Sequence, residues 1–168
     1  MYGYGNSMFL ATHGILARSG ATPAFTGLLD TYSGAAGAYS LRRLSSSHTG
    51  NLIRVRRSSD NTEQNIGYNT NNVLDTTALL NFVGAGDGFV TTWYDQSGNA
   101  RNATQTTAAN QPIIVSAGVV ELNNSLANLK FSQDFLSIGT QINLTGQHYM
   151  VYVGHLGHGL KLFHCDKH

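Results

Sequence analysis

The sequence predicts a mostly β protein: two antiparallel sheets packed as a β-sandwich, with one or two short helices. Three observations lead there. Runs of β-branched and aromatic residues recur along the chain at about ten-residue spacing, divided by turn formers. Residues 52–57 alternate apolar and basic, the period of a half-buried strand. Phe89, Val90, Thr91, Thr92, Trp93 and Tyr94 form one strong strand run. It breaks sharply at Asp95-Gln-Ser-Gly-Asn99, whose side chains can bond their own backbone.

Taken in order, residues 1–26 are rich in Gly and aromatics without sustained periodicity, and read as an arm or connector. The sandwich is expected over 27–153, and 154–168 as a Gly- and His-rich tail or a truncated continuation. Residues 28–32 suit a short helix or turn, 38–44 a strand, and 45–50 a loop. Residues 52–57 are a strand, 58–61 its turn, and 63–68 the returning strand. Asp75 is placed to cap a helix over 76–83, with Gly84-Ala-Gly86 as its stop. Residues 112–115, 118–122, 129–131, 135–138 and 149–153 then read as further short strands.

At 168 residues the chain is one domain, or one domain with an arm. A globule of this size buries roughly 70% of its unfolded surface, enough for a core without disulfide or metal. Ten Lys and Arg against nine Asp and Glu leave no basic field, which argues against a nucleic-acid partner. Charged residues are only 11%, and Gly, Ser, Thr and Asn supply the polarity. That balance suits an extracellular or particle-borne β-protein. Cys165 stands alone, so neither an intrachain disulfide nor a multi-cysteine zinc site can form. No apolar run approaches the ~20 residues of a membrane span, and no secretory signal opens the chain. Release by lysis as part of a virus particle would explain both the missing signal and the missing disulfides.

Four segments carry a family resemblance. They are Tyr39-Ser-Leu-Arg-Arg-Leu44, Ile53-Arg-Val-Arg-Arg-Ser-Ser-Asp-Asn61, Thr91-Thr-Trp-Tyr-Asp-Gln-Ser-Gly-Asn99, and Ala103-Thr-Gln105 with Asn110-Gln-Pro112. In order and spacing they resemble the N-terminal half of the family 54 α-L-arabinofuranosidase catalytic domain, a concanavalin A-like jelly roll. They look closer still to uncharacterised bacteriophage proteins that share that half. The resemblance spans residues 28–138 and implies the fold more firmly than the activity, because this fold hosts hydrolases, lectins and adhesive modules alike.

A retaining glycosidase needs two carboxyl groups about 5–5.5 Å apart. In the resembling hydrolases these lie beyond the matched motifs, and an adjacent pair of cysteines walls the pocket. This chain has no such pair, and after residue 115 it offers only Glu121, Asp134 and Asp166. No catalytic residue is therefore assigned. Asp95 is the best single carboxylate, with Asp60, Glu63 and Asp87 as partners; its plainer reading is the cap of its own turn. Trp93 and Tyr94 point to opposite sides of their strand, so at most one can meet a sugar. Trp93 is assigned to the core. Tyr94, Asp95, Gln96, Ser97 and Asn99 are the candidate glycan contacts.

Arg42, Arg43, Arg54, Arg56 and Arg57 hold half of the basic residues. Arg54, Arg56 and Arg57 are the candidate docking residues for an acidic partner or anionic glycan. A solvated sheet face paired with Asp60 and Glu63 is the plainer account. His155, His158, His164, Cys165 and His168 match no standard zinc spacing, and no metal ligand is assigned. Calcium is the one cofactor considered, through the oxygens of Asp87, Asp95 and Asn99. Asn102-Ala-Thr104, Asn123-Asn-Ser125 and Asn143-Leu-Thr145 fit the glycosylation pattern, but an Asn- and Thr-rich chain makes such matches by coincidence.

The leading expectation is a non-enzymatic phage virion component: a capsid decoration, fibre or tail-associated domain. It would assemble with other virion proteins or copies of itself, and bind a host-surface glycan at the Asp95–Asn99 rim. Its location would be the virion, extracellular after lysis, with no nucleic acid or membrane partner. The alternatives are an arabinofuranosidase-like glycoside hydrolase and a free carbohydrate-binding module.

Overall fold

The computed structural model describes residues 24–139. The order of elements is α1 (Leu28–Thr31), β1 (Ile53–Arg57), β2 (Glu63–Ile66), α2 (Thr76–Val83), β3 (Gly88–Trp93) and β4 (Ala103–Thr104). A 3₁₀ turn at Ala108–Asn110 follows, then β5 (Ile113–Ser116), β6 (Val119–Val120), β7 (Leu122–Asn123), β8 (Leu126–Ala127) and β9 (Ser137–Ile138). The protein is mostly β and antiparallel with two short helices, the sandwich class that the sequence predicts.

Seven strands make one sheet in the order β2-β1-β3-β4-β9, with β5 also paired to β3 and β6 to β5. The sheet forks because β3 divides one edge between two neighbours. Gly88 and Phe89 pair with Val115 and Ile113 of β5, whereas Thr92 and Trp93 pair with Thr104 and Ala103 of β4. Along its other edge β3 runs beside the whole of β1, with a bulge between Arg54 and Val55. β7 and β8 form a separate two-stranded sheet. Their turn residues Asn124 and Ser125 have φ of 48° and 65°, the positive values of a tight hairpin turn.

Alternation puts Ile53 and Val55 of β1 into the interior with Ile66, Val90, Ile114 and Val115. Leu79, Phe82 and Val83 of α2 pack onto them, and α2 also contacts β2 and β6. Each aliphatic side chain buried in this way contributes about 1.5–3 kcal/mol. Helix α2 has the predicted bounds because its signals are local. The Asp75 carboxylate accepts from the Ala78 N–H at 3.0 Å, and Gly84, at φ 69°, ends the helix by donating to the Leu80 carbonyl. Gly88 is required at the start of β3, since a Cβ there would sit 2.9 Å from Val83 Cγ2 and 3.2 Å from Val55 Cγ1.

Several predicted strands are corrected. Residues 38–44 form no strand; among them only Arg42 makes a β-bridge, to Val73. Their backbone is held instead by side chains from the Asp95 turn, as described below. Residues 129–131 reduce to one bridge between Lys130 and Ile113. The single strand expected over 118–122 is split between β6 and β7. The pairing segments Ala103–Thr104 and Leu126–Ala127 had no counterpart among the predicted strands. Most of the N-terminal arm, the 149–153 strand, the histidine cluster, Cys165, Asp166 and the Asn143 sequon lie outside the described residues.

Candidate functional site

Asp95 stands two residues past the end of β3 and is 8% exposed. Its Oδ1 accepts from the N–H groups of Ala38 and Ser97, both at 2.8 Å. Oδ2 accepts from the Ser97 hydroxyl at 2.7 Å and the Arg101 N–H at 3.0 Å. Burial pushes the Asp95 carboxyl up, but the bonds from Ser97, Ala38 and Arg101 outweigh it and hold the group below the usual carboxylate range. The same carboxylate, after burial, helps raise the Tyr39 phenol to about 12, against the opposing Arg101 charge. Tyr39 in turn donates to the Arg101 carbonyl.

Gln96, 5% exposed, continues this fastening. Its Oε1 accepts from the Leu44 N–H at 2.8 Å, while Nε2 donates to the carbonyls of Ser40 and Arg42 at 3.2 and 2.9 Å. Asn99 Nδ2 donates to the carbonyls of Ala35 and Ala36, and Arg101 Nη1 also reaches Ala36. Gly98 closes the turn at φ 88°, a value that favours glycine. The motif thus adds side-chain amides and a carboxylate to the single bridge, Arg42 with Val73, by which residues 35–44 pair with other backbone as strand. Of the predicted glycan contacts, Asp95, Gln96, Ser97 and Asn99 all spend polar atoms on this internal network.

Tyr94 belongs to a different neighbourhood. Its hydroxyl donates to Asn65 Oδ1 at 2.8 Å, and it lines an open groove of about 520 Å³. Arg54 of β1, Glu63 of β2, Thr91 and Thr92 of β3, and Thr104 of β4 complete most of the wall. The volume lies within the usual range for small-molecule sites. Arg54 Nε donates to Glu63 Oε2 at 2.5 Å, with the two side chains 42% and 34% exposed, so both charges meet the groove and the solvent. Asn102 stands between turn and groove, its Oδ1 accepting from the Asp95 N–H at 3.1 Å. Gln105 is framework: its amide donates to the Phe135 carbonyl and accepts from the Thr107 N–H. The sequence assigned no ligand-facing role to the groove residues other than Tyr94, Arg54 and Glu63. Their one visible signal is the density of Thr in and after the two strands concerned. Trp93 packs against the core as predicted, with its ring 6.1 Å from that of Tyr39.

The predicted docking arginines are engaged within the molecule. Arg56 donates to Gln111 and Asn61 and lies over the Phe89 ring. Arg57 donates to Asp60 and to the Phe82 carbonyl, and covers the Phe82 ring. The Arg57 bond holds Asp60 well below the usual carboxylate range. Arg54 meets Glu63 as above. The other carboxylates are likewise occupied: Asp87 accepts from the Ala117 N–H, Asp134 from the Ser132 N–H, and Glu121 lies 3.7 Å from Lys130. Of the carboxylates among the described residues, Glu63 is the one that lines the groove. Among the described residues no three His, Cys, Asp or Glu side chains are grouped to hold a metal ion. Asp87 and Asp95, considered for calcium, serve separate backbone segments. No helix among the described residues is long and apolar enough to cross a membrane.

Two comparisons with known proteins return a match, both to arabinofuranosidases. No curated protein matches the chain. Solved structures of a GH54 α-L-arabinofuranosidase soaked with a cyclic sulfate inhibitor, and of an arabinofuranosidase complexed with arabinofuranosyl-α-1,2-xylobiose, are each 34% identical to it. Each alignment covers 48% of this chain and 18% of the solved chain, with a TM-score of 0.45. The chain therefore matches only a small part of the length of those proteins. Likeness to bacteriophage proteins finds no support in these matches. The family model for the catalytic part of α-L-arabinofuranosidase B matches residues 30–136, well over half of the 168, and the chain belongs to that family.

Proposed function

We propose that the chain is a carbohydrate-active domain of the arabinofuranosidase type, engaging furanoside-bearing glycans through the groove beside β3. The observation that carries this reading is the family match over residues 30–136. The groove supports it chemically. A ring face at Tyr94, planar charged groups at Arg54 and Glu63, and threonine hydroxyls are groups that can satisfy the apolar face and the hydroxyls of a sugar. Retaining hydrolysis needs two carboxyls about 5–5.5 Å apart. Within the described residues the groove presents one, so these residues bind and frame, and bond cleavage draws on carboxylates from elsewhere. The expectation of a virion component takes no support from the family match, which favours the glycoside-hydrolase alternative.

Calorimetric titration of the full chain with an arabinofuranosyl-xylo-oligosaccharide tests the reading. Weak binding, with Kd on the order of 1 mM, is expected, together with its weakening by about tenfold in Tyr94→Ala. Absence of binding to this and other arabinofuranosides would overturn it. Assay of an aryl α-L-arabinofuranoside on the same material shows whether cleavage accompanies binding.

A further inference from the structure

The groove holds one ion pair, Arg54 with Glu63, and among the described residues no other charged side chain lines it. An unpaired guanidinium there would attract carboxylate or sulfate groups on a glycan, because its fork binds such anions through two parallel bonds. Glu63 holds that guanidinium from the neighbouring strand by one bond, Arg54 Nε to Glu63 Oε2, at a register where Glu63 faces Arg56 and Arg54 faces Asn65 across the β1–β2 ladder. The carboxylate is therefore reached by a diagonal contact between residues on the same sheet face, not by direct opposition. It offsets the charge of Arg54, the one cation among the described lining residues, and adds repulsion toward any anionic group brought close.

We propose that Glu63 is a specificity-determining residue, a charge lock on Arg54 that makes the groove reject acidic glycans. The inference rests on the carbohydrate reading above, but names what that site excludes and which side chain excludes it. Specificity arises here from a repulsive element as much as from an attractive one. The rest of the described wall, four threonines with Tyr94, Asn102 and Gln105, is uncharged and indifferent to the sign of the ligand.

The test is titration calorimetry of the full chain with two probes: a neutral arabinofuranosyl-xylo-oligosaccharide and an oligogalacturonate of similar length. The wild type is expected to favour the neutral probe by about tenfold or more, and Glu63→Gln to raise the ratio of uronate to neutral affinity by about tenfold. The double variant Arg54→Gln with Glu63→Gln should lose the uronate gain, which separates an unlocked arginine from a general change of surface charge. Raised salt should weaken the gained uronate binding and leave the neutral probe unmoved. Both side chains are partly exposed, and an unchanged thermal midpoint confirms that the variants fold. Neutral binding with no uronate gain in Glu63→Gln overturns this inference alone. Silence of both probes on wild type and variants overturns the carbohydrate reading and this inference with it.

Discussion

The turn after β3 and the groove beside β3 are both polar and almost adjacent, yet they use their polar atoms in opposite ways. In the turn, Asp95 accepts four hydrogen bonds from its own chain and Gln96 exchanges three with residues 40–44. In the groove, Arg54 and Glu63 meet each other and remain partly in solvent. The distinctive Tyr-Asp-Gln-Ser-Gly-Asn string is thus chiefly a fastener, and the unremarked threonines flank the surface open to a ligand. A motif can mark a family through the backbone it holds as readily as through chemistry it performs.

The contrast is broken most severely at Asp95. Asp95→Ala leaves the N–H groups of Ala38, Ser97 and Arg101 without their carboxylate and should cost about 3 kcal/mol in urea unfolding at neutral pH. A smaller loss of about 2 kcal/mol is expected from Gln96→Ala, which strips the partner from the Leu44 N–H and from the Ser40 and Arg42 carbonyls.

Acid sharpens the same comparison. Asp95 titrates lower in the folded protein than its ordinary value of 3.8, and Asp30, bonded by the Gly27 and Ser46 N–H groups and the Ser45 hydroxyl, is lowered to about 2. Depressed carboxyls lend stability above the unfolded value and withdraw it as pH falls through the folded one. Unfolding midpoints should therefore hold from pH 7 to about 5 and decline from about pH 4 toward 2, with a shallower decline in Asp30→Asn. The groove gives the smallest effect on stability. Tyr94→Ala should change it by less than about 1 kcal/mol while weakening glycan binding about tenfold, measured by chemical unfolding and calorimetry on one preparation.

Legibility in the sequence followed the range of the interaction. Helix α2 was readable to the residue because Asp75 and Gly84 act within one turn of it. The cores of β1, β2 and β3 were readable from alternation and β-branching. The 38–44 segment looks like a strand by the same criteria and is not one. What decides it is Gln96, more than fifty positions away, and no local propensity reports that contact. The short β4 was hidden for a similar reason: two residues become strand by pairing with Thr92 and Trp93 on one side and with β9 on the other. The turn-capping role of Asp95 was visible in Gln-Ser-Gly-Asn; the reach of that cap to Ala38 was not. The groove was opaque because its walls come from four strands, and its members share no spacing.

The fork at β3 also dictates an order of events. β1 and β3 meet across the intervening hairpin strand and helix, a closure of high contact order and the slow kind of step in forming a sheet. Until that ladder exists, β4 and β5 have no edge to join, and the Asp95 turn has no fixed base from which to gather residues 35–44. The recognition surface is thus assembled late, on a strand pair that must already be in register. During refolding, amide protection of Tyr94, which donates to the Leu52 carbonyl at the head of β1, should precede that of Leu44 and Arg101, whose acceptors are side chains of the Asp95 turn.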